Sequence, residues 1–232
     1  MTNLTGQVRA QYVQSMFTRI AHRYDFMNHL MTGGQDIRWR KAVIKLARLK
    51  PSASLLDLGA GTGDLAREAQ TQFPQAKIIA ADFTLEMMRV GQKVSPLNFS
   101  TADALRLPFN DSSFDAVVSG FLMRNVIDLQ KAITEQFRVL KKGGRIVILD
   151  TTRPKKNILS PFIWLHMHFV IPTLGGLLTG VSEAYRYLPD TTEGFVTAEE
   201  MASRMAAAGF KNISFKRLMF GTIAIHSGEK TA

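Results

Sequence analysis

Four short apolar runs, SLLDL (54–58), KIIAAD (77–82), FDAVVS (114–119) and RIVILD (145–150), are separated by segments of helical length and period. This alternation constrains the chain more than any other feature. Continuous apolar runs of this length suit strands buried on both faces, and such strands pair in parallel through crossover helices. The intervening segments fit that role: DLAREAQTQF (64–73), TLEMMRVGQKV (84–94) and DLQKAITEQFRVL (128–140). LNFSTAD (97–103) reads as a weaker strand. The expected fold is therefore α/β, a doubly wound, mostly parallel sheet with helices on both faces. Lys142-Gly143-Gly144 is expected to stop the third helix, with glycine in the left-handed position.

The C-terminal part closes the pattern. Thr197-Ala198-Glu199-Glu200 has the form of a capping box, with Val196 and Met201 placed for a hydrophobic staple. The helix should run to Gly209. ISFKRLM (213–219) and TIAIHSG (222–228), with Gly221 between them, read as an antiparallel hairpin. With no internal repeat, low-complexity tract or clear linker, residues 1–232 are expected to form one domain. A helical cap spans about 1–50 and a helical insertion about 155–190.

Composition narrows the chemistry. The chain of 232 residues has no cysteine, which excludes disulfides, thiolate metal sites and cysteine nucleophiles. The amino terminus, MTNLTGQVRAQYVQ, is too polar for a secretory signal. Net charge is +10 and uneven. Residues 1–50 carry nine Lys/Arg against Asp25 and Asp36, and residues 138–156 carry seven against Asp150. Such an excess suits an anionic membrane surface, nucleic acid or an acidic substrate, and equally a solvated basic face. Residues 157–182 contain no charged side chain, but Pro161, Pro172, His166, His168 and Gly175-Gly176 argue against a membrane span. A buried helical insertion, or a greasy lid over a lipophilic substrate, fits better.

The first run leads into Asp57-Leu58-Gly59-Ala60-Gly61-Thr62-Gly63-Asp64. A dinucleotide fingerprint would read G-x-G-x-x-G. Here the third glycine comes one residue early and Asp64 takes its place. Asp57 adds further negative charge. Carboxylates at a helix N-terminus repel a pyrophosphate, so the loop suits a cationic ligand better than a diphosphate. Asp82, closing the second run and followed by Phe83, can accept hydrogen bonds from both hydroxyls of a ribose.

The pattern Asp-x-Gly-x-Gly-x-Gly resembles the first motif of class I S-adenosylmethionine-dependent methyltransferases. The resemblance implies a seven-stranded, Rossmann-like sheet and places the cofactor against Asp57, Gly59, Gly61, Thr62, Gly63, Asp82, Phe83, Asp103, Ala104, Ser119 and Gly120. In that family an acidic residue at Asp103 accepts from the adenine amino group, and the next backbone N–H donates to the ring. Beyond these motifs, nearly the whole chain resembles the ubiquinone/menaquinone biosynthesis C-methyltransferases. Four stretches carry this: AHRYDFMNHLMTGGQDIRWRK (21–41), RNVIDLQKAITEQFRVLKKGGRIVILD (124–150), EAYRYLPDT (183–191) and GTIAIHSGEK (221–230). Some positions depart from the family pattern. Gly120 stands where a serine is usual, with Ser119 beside it. Phe121-Leu122-Met123-Arg124-Asn125 replaces Phe-Gly-Leu-Arg-Asn, and Thr191-Thr192 and Gly194-Phe195-Val196 replace Ser-Ile and Phe-Pro.

The reaction implied is methyl transfer from a sulfonium to a ring carbon of a polyprenyl hydroquinone, with demethylmenaquinol to menaquinol favoured over the benzoquinol reaction. Ring carbon becomes nucleophilic when a phenolic oxygen loses its proton, so positive charge near that oxygen helps. Arg124 is the expected source, with Asn125 to orient it and Tyr24 as a ring contact. His166, His168 and His226 are better bases in solution, but a hydrogen-bonded packing role is their default reading. Tyr185, Arg186 and Tyr187 would line the pocket or pin the insertion. The resemblance implies S-adenosyl-L-methionine as cosubstrate; no metal-ligand spacing such as His-Glu-x-x-His occurs, and no metal is expected. Expected partners are a polyprenyl quinol and, peripherally, the inner face of the membrane of a cytoplasmic protein. A homodimer is compatible with the sequence. Nucleic acid is not expected, because Ser119-Gly120-Phe121 replaces the Asn/Asp-Pro-Pro-Tyr of amino-methylating types. The rival readings are a methyltransferase for another lipophilic small molecule and a non-catalytic nucleoside-binding module.

Overall fold

The computed structural model describes residues 6–154, 160–165, 168–169, 173 and 191–231. Seven strands form one sheet: β1 (Ser54–Leu58), β2 (Lys77–Asp82), β3 (Phe99–Thr101), β4 (Phe114–Gly120), β5 (Leu140–Thr151), β6 (Lys211–Leu218) and β7 (Ile223–Glu229). Their order is β3-β2-β1-β4-β5-β7-β6. The strands β1 to β5 pair in parallel, and β7 runs antiparallel to both β5 and β6. The expected mostly parallel sheet with a terminal hairpin is thus observed.

The period-2 alternation along each strand sorts the core into two layers. Leu56, Leu58, Val117, Ile146 and Ile148 face one side, where α6 (Leu129–Val139) contributes Ala132 and Ile133, and α8 (Ala198–Ala207) contributes Met201 and Met205. Leu55, Ala116, Val118, Val147 and Leu149 face the other side. There they meet Leu65 and Ala69 of α4 (Asp64–Gln72) and Trp39, Val43, Ile44 and Ala47 of α3 (Gln35–Ala47). Helix α3 therefore belongs to the sheet's own layer. The rest of the N-terminal segment does not. Helix α1 (Gly6–Ile20) and helix α2 (Tyr24–Met31), joined by a 3-10 turn at Ala21–Arg23, enclose a separate small cluster of Met16, Ile20 and Met27. Helix α5 (Leu85–Val94) follows β2.

The capping box at Thr197 and Glu200 forms as expected, with both reciprocal bonds present. Gly209 ends that helix region in a left-handed conformation, φ 104°. The third predicted helix differs. It stops at Val139, and Leu140 is already extended and paired with Phe114. Gly143, with φ 78°, therefore serves a bulge in β5, where the register with β4 jumps between Phe114 and Ala116. The helix end is satisfied from far along the chain. Lys230 Nζ donates to the carbonyls of Phe137 (2.8 Å) and Leu140 (2.7 Å), a cation at a helix C-terminus.

Of the predicted insertion, Ser160–Leu165 forms a helix, α7. His168 Nδ1 lies 3.0 Å from the Trp164 carbonyl, with the two rings stacked. His166, Tyr185, Arg186 and Tyr187 fall outside the described residues. Among the described residues no helix is long and apolar enough to cross a membrane.

Candidate active site

Each parallel strand delivers a loop to the carboxyl edge of the sheet, and the order reverses between β1 and β4. A crevice opens at such a switch point. Here it is a cavity of about 660 Å3, roofed by α1 and α2.

The loop after β1 gives the cavity its floor. Gly59, Gly61 and Gly63 have φ of 69°, 59° and 97°, backbone that a side chain resists, and Gly63 opens α4. The loop hangs from the next strand: the amides of Gly59 and Ala60 donate to the Ala81 carbonyl at 2.8 and 3.0 Å. Close approach is also enforced from outside. A Cβ on Gly91 of α5 would lie 2.1 Å from the Thr62 carbonyl oxygen.

Two carboxylates flank this loop, Asp57 fully buried and Asp82 partly so. Asp57 Oδ2 accepts from the Ala66 amide at 2.9 Å, while Oδ1 is buried without a partner. Burial pushes Asp57 up to about 7; the Ala66 bond opposes the rise, and Asp82 and Asp64 add to it. Asp82 accepts from the amides of Gly61 (2.8 Å) and Thr84 (2.7 Å), one on each oxygen. Burial raises its carboxyl as well, against those amide bonds. Farther along the wall, Asp103 Oδ1 accepts from the Leu105 amide at 2.8 Å, which fixes a turn and presents Ala104 beside it.

Sequence-expected residues converge on this cavity. Tyr24, Asp57, Gly59, Gly61, Thr62, Asp82, Phe83, Asp103, Ala104, Gly120 and Asn125 line it, whereas Gly63, Ser119 and Arg124 do not. Ser119 is fully buried, with its hydroxyl unpartnered, and Gly120 is the residue that faces the space. Arg124 stands behind the wall. Its Nη1 pairs with buried Asp150 at 3.1 Å, and its guanidinium lies 5.2 Å from the centre of the Phe121 ring. Asp150 also accepts from the amides of Thr151 (2.7 Å) and Arg124 (3.3 Å), so one carboxylate organises the turn after β4. Asn125 Nδ2 donates to the Phe121 carbonyl at 3.1 Å. Burial raises the Tyr24 phenol above its ordinary value, while the nearby Arg124 charge and a bond with Asn28 pull it down. His226 is buried behind the sheet edge against the Ala198 carbonyl at 2.9 Å, away from the cavity. Its packing role is the one seen.

Sequence reasoning missed the N-terminal wall. Gln7, Ala10, Gln14 and Phe17 of α1 line the cavity, as do Asp25, Arg40, Arg106 and Lys131. Asp25 accepts from the Thr62 hydroxyl at 2.7 Å, and Arg40 bridges Asp64 (2.5 Å) and Asp36 (3.0 Å). Thus Tyr24-Asp25 and Trp39-Arg40, prominent in the 21–41 stretch, tie the helical wall to the glycine loop. The signal was the motif itself, but its partners lie dozens of residues away.

These residues fit a cationic nucleoside. The glycine loop lines the cavity with Gly59, Ala60, Gly61 and Thr62, Asp57 offers an unpaired buried oxygen, and Asp82 offers lone pairs beside it. A pyrophosphate would meet two carboxylates, Asp57 and Asp82. Among the described residues no group of His, Asp and Glu could hold a metal ion.

Comparison with known proteins places the chain among relatives. A model of the ubiE/COQ5 methyltransferase family matches residues 5–230. The chain is 42% identical over 221 residues to a ubiquinone/menaquinone biosynthesis C-methyltransferase of Desulfotalea psychrophila, covering 94% of this chain and 90% of that one. It is 41% identical over 220 residues to a demethylmenaquinone methyltransferase of Thermus thermophilus, covering 93% and 100%. Among solved structures, a Haemonchus contortus phosphoethanolamine N-methyltransferase in complex with S-adenosyl-L-methionine superposes with a TM-score of 0.66 at 15% identity, over 93% of this chain and 60% of that one. The [4+2]-cyclase SpnF superposes with a TM-score of 0.70 at 17% identity, over 95% and 96%. At such identities the likeness shows the fold, and the cyclase illustrates that this fold serves more than one chemistry.

Proposed function

The chain belongs to the ubiE/COQ5 methyltransferase family, and from this premise we propose that its cavity brings a methyl donor and a lipid quinol together in one methyltransferase domain. The protein is an S-adenosylmethionine-dependent C-methyltransferase of menaquinone or ubiquinone biosynthesis, and demethylmenaquinol is the preferred acceptor. The observation that carries the site assignment is the unpaired buried oxygen of Asp57 beside the glycine loop, which calls for a cation.

When bound, S-adenosylmethionine supplies an electrophilic methyl group on a sulfonium. Asp57 and the loop from Gly59 to Gly63 would hold its charged end, Asp82 its ribose, and Asp103 and Ala104 its base, with Phe83 beside them. The acceptor occupies the space under α1 and α2, with Tyr24 and Asn125 at its ring. Tyr24 is protonated at neutral pH, so its hydroxyl donates to the phenolic oxygen as charge develops there. Arg124 contributes positive potential from behind the wall without touching the ring, and Ser119 supports Gly120 from within the sheet. The phenolic proton leaves through water. Transfer would form a carbon–carbon bond as the carbon–sulfur bond breaks; loss of the ring proton restores aromaticity as a phenolate, which takes a proton back from water, so one proton is released net per turnover. Peripheral contact with the inner face of the membrane belongs to this reading, as does the absence of any role for a metal or nucleic acid; a homodimer would be compatible with it.

Mass spectrometry after incubation with labelled methyl donor and demethylated naphtho- and benzoquinols tests the proposal. Label on a ring carbon of the naphthoquinol is the expected result. Calorimetry showing no uptake of the donor alongside tight binding of a nicotinamide or flavin dinucleotide would overturn it.

A further inference from the structure

The outer face of α2 and α3 has a composition that the cavity does not explain. Phe26, Leu30 and Ile37 are 61%, 43% and 44% exposed. Phe26 and Leu30 are one turn apart on α2, and Leu30 and Ile37 flank the short turn that joins α2 to α3. Exposed cations surround them. Arg23 precedes Phe26 by three positions, and Lys41 and Lys45 continue the row from Ile37 at successive turns, with Arg38 beside it.

The acidic residues of this segment point the other way. Asp36 is 1% exposed and held by Thr32 and Arg40, and Asp25 bonds to Thr62 of the glycine loop. Both negative charges are thus turned inward and partnered, and the exposed charges of the face are positive. Apolar side chains protruding from a cationic surface match the boundary between acyl chains and anionic headgroups. A nucleic-acid backbone would use the cations but leave the aliphatic and aromatic groups in water.

The same helix serves both sides. Tyr24, Asp25 and Asn28 of α2 line the cavity, while Phe26 and Leu30 face out. We infer that the face formed by Phe26, Leu30 and Ile37, with its ring of Arg23, Arg38, Lys41 and Lys45, docks on an anionic lipid bilayer. This deepens the reading of the cavity as a lipid-quinol site, because docking sets the cavity wall one helix thickness from the membrane that holds the acceptor.

Flotation of the full chain with vesicles reads this directly, using phosphatidylcholine alone and an equimolar mixture with phosphatidylglycerol. Binding to the anionic vesicles is expected, with little to the neutral ones. Lys41→Gln with Lys45→Gln should weaken it about tenfold or more, and Phe26→Ala with Leu30→Ala should do so by a similar factor. Turnover of a short-chain, water-soluble demethyl quinol without vesicles should be unchanged in both double variants, which keeps the test independent of the catalytic reading. Equal binding to both vesicle types, undiminished binding of the variants, or displacement from anionic vesicles by RNA at lower concentration than by lipid would each overturn the proposal. If the short-chain quinol is not methylated while vesicle binding behaves as described, the docking face stands and the catalytic reading fails.

Discussion

Asp57 is an acid held in a place that favours its neutral form. Its carboxyl lies near 7 because burial outweighs the single amide bond from Ala66, with Asp82 and Asp64 adding repulsion. The folded state therefore holds this proton more tightly than the unfolded chain, whose carboxyl titrates near 4. Its contribution to stability falls as pH rises from about 4 to about 7, and above that the protein carries a buried charge without a full set of partners. A cationic ligand reverses the preference. Donor affinity should weaken as pH falls below about 7, approaching tenfold per unit, and calorimetry across pH 5.5–8 checks this slope. Asp57→Asn should flatten the slope and weaken donor binding at least about tenfold, yet raise the melting temperature of the ligand-free protein at pH 8 by about 3 °C or more. A variant that binds the donor as the native chain does would remove Asp57 from the site. Asp150 is also raised by burial, but there the rise is opposed by Arg124 and by backbone amides that pair with it. Asp150→Ala strands a buried guanidinium and should cost about 3–5 kcal/mol in urea unfolding. Asp150→Asn keeps the shape and should lower kcat while leaving donor affinity within about twofold, because the pair lies away from the glycine loop. Arg124 was legible as a candidate from its motif. Its pairing across two strands was not, and that pairing places it behind the wall rather than at the ring.

Helix α5 meets the glycine loop with no room to spare. Gly91→Ala would set a methyl group 2.1 Å from the Thr62 carbonyl oxygen, which is backbone and cannot turn aside. Either α5 or the loop must move. The expected cost is about 2–3 kcal/mol by urea unfolding, together with a loss of donor affinity that a surface glycine such as Gly143, with nothing near its Cβ, would not show on the same substitution. Elements of this kind were legible to different depths. The bounds of β1 and β2 match the apolar runs 54–58 and 77–82; β1, buried along nearly its whole length, leaves that length in the composition. The end of α6 did not match. Lys142-Gly143-Gly144 looked like a helix stop, but strand pairing takes over at Leu140, and the carbonyls left behind are met by Lys230 from the far end of the chain. Helix α1 left still less trace. Gln7, Ala10 and Gln14 form a cavity wall, and nothing about a polar N-terminal helix announces that. The part of the site built from local motifs was readable, and the part built by tertiary closure was not.

Taken as a whole, the molecule joins two bodies of unequal size around one cavity. The sheet and its flanking helices share two large apolar layers. Helices α1 and α2 share a small cluster of Met16, Ile20 and Met27, with partly buried Tyr12, Phe17, Tyr24 and Met31 around it, and Val13 and Ala21 are buried as well. Single polar contacts tie them to the rest, among them Gln14 Nε2 to the Phe83 carbonyl (3.2 Å), Arg9 Nη2 to the Arg124 carbonyl (2.9 Å), Thr62 to Asp25 (2.7 Å) and His29 Nδ1 to Asp36 (3.1 Å). Each is worth on the order of 1 kcal/mol net. Gly33 and Gly34, both at positive φ, connect this pair to α3, which is anchored on the sheet. A unit with a small core of its own opens at lower free energy than a sheet packed on both faces. Hydrogen exchange should therefore show amides of α1 and α2 exchanging at least about a hundredfold faster than those of β1, β4 and β5 in the ligand-free protein. The cavity lies between the two bodies, so a bound donor contacts both and is lost on opening. Saturating S-adenosylmethionine should slow exchange in α1, α2 and the 59–63 loop together, by a factor that follows the ratio of donor concentration to Kd. Thr62→Val, which deletes the hydroxyl that reaches Asp25, should raise the ligand-free exchange rate of α2 several-fold without changing β4. If α1 and α2 are instead protected as well as the central strands, the two bodies open only as one, and the donor must enter through the wall as it stands.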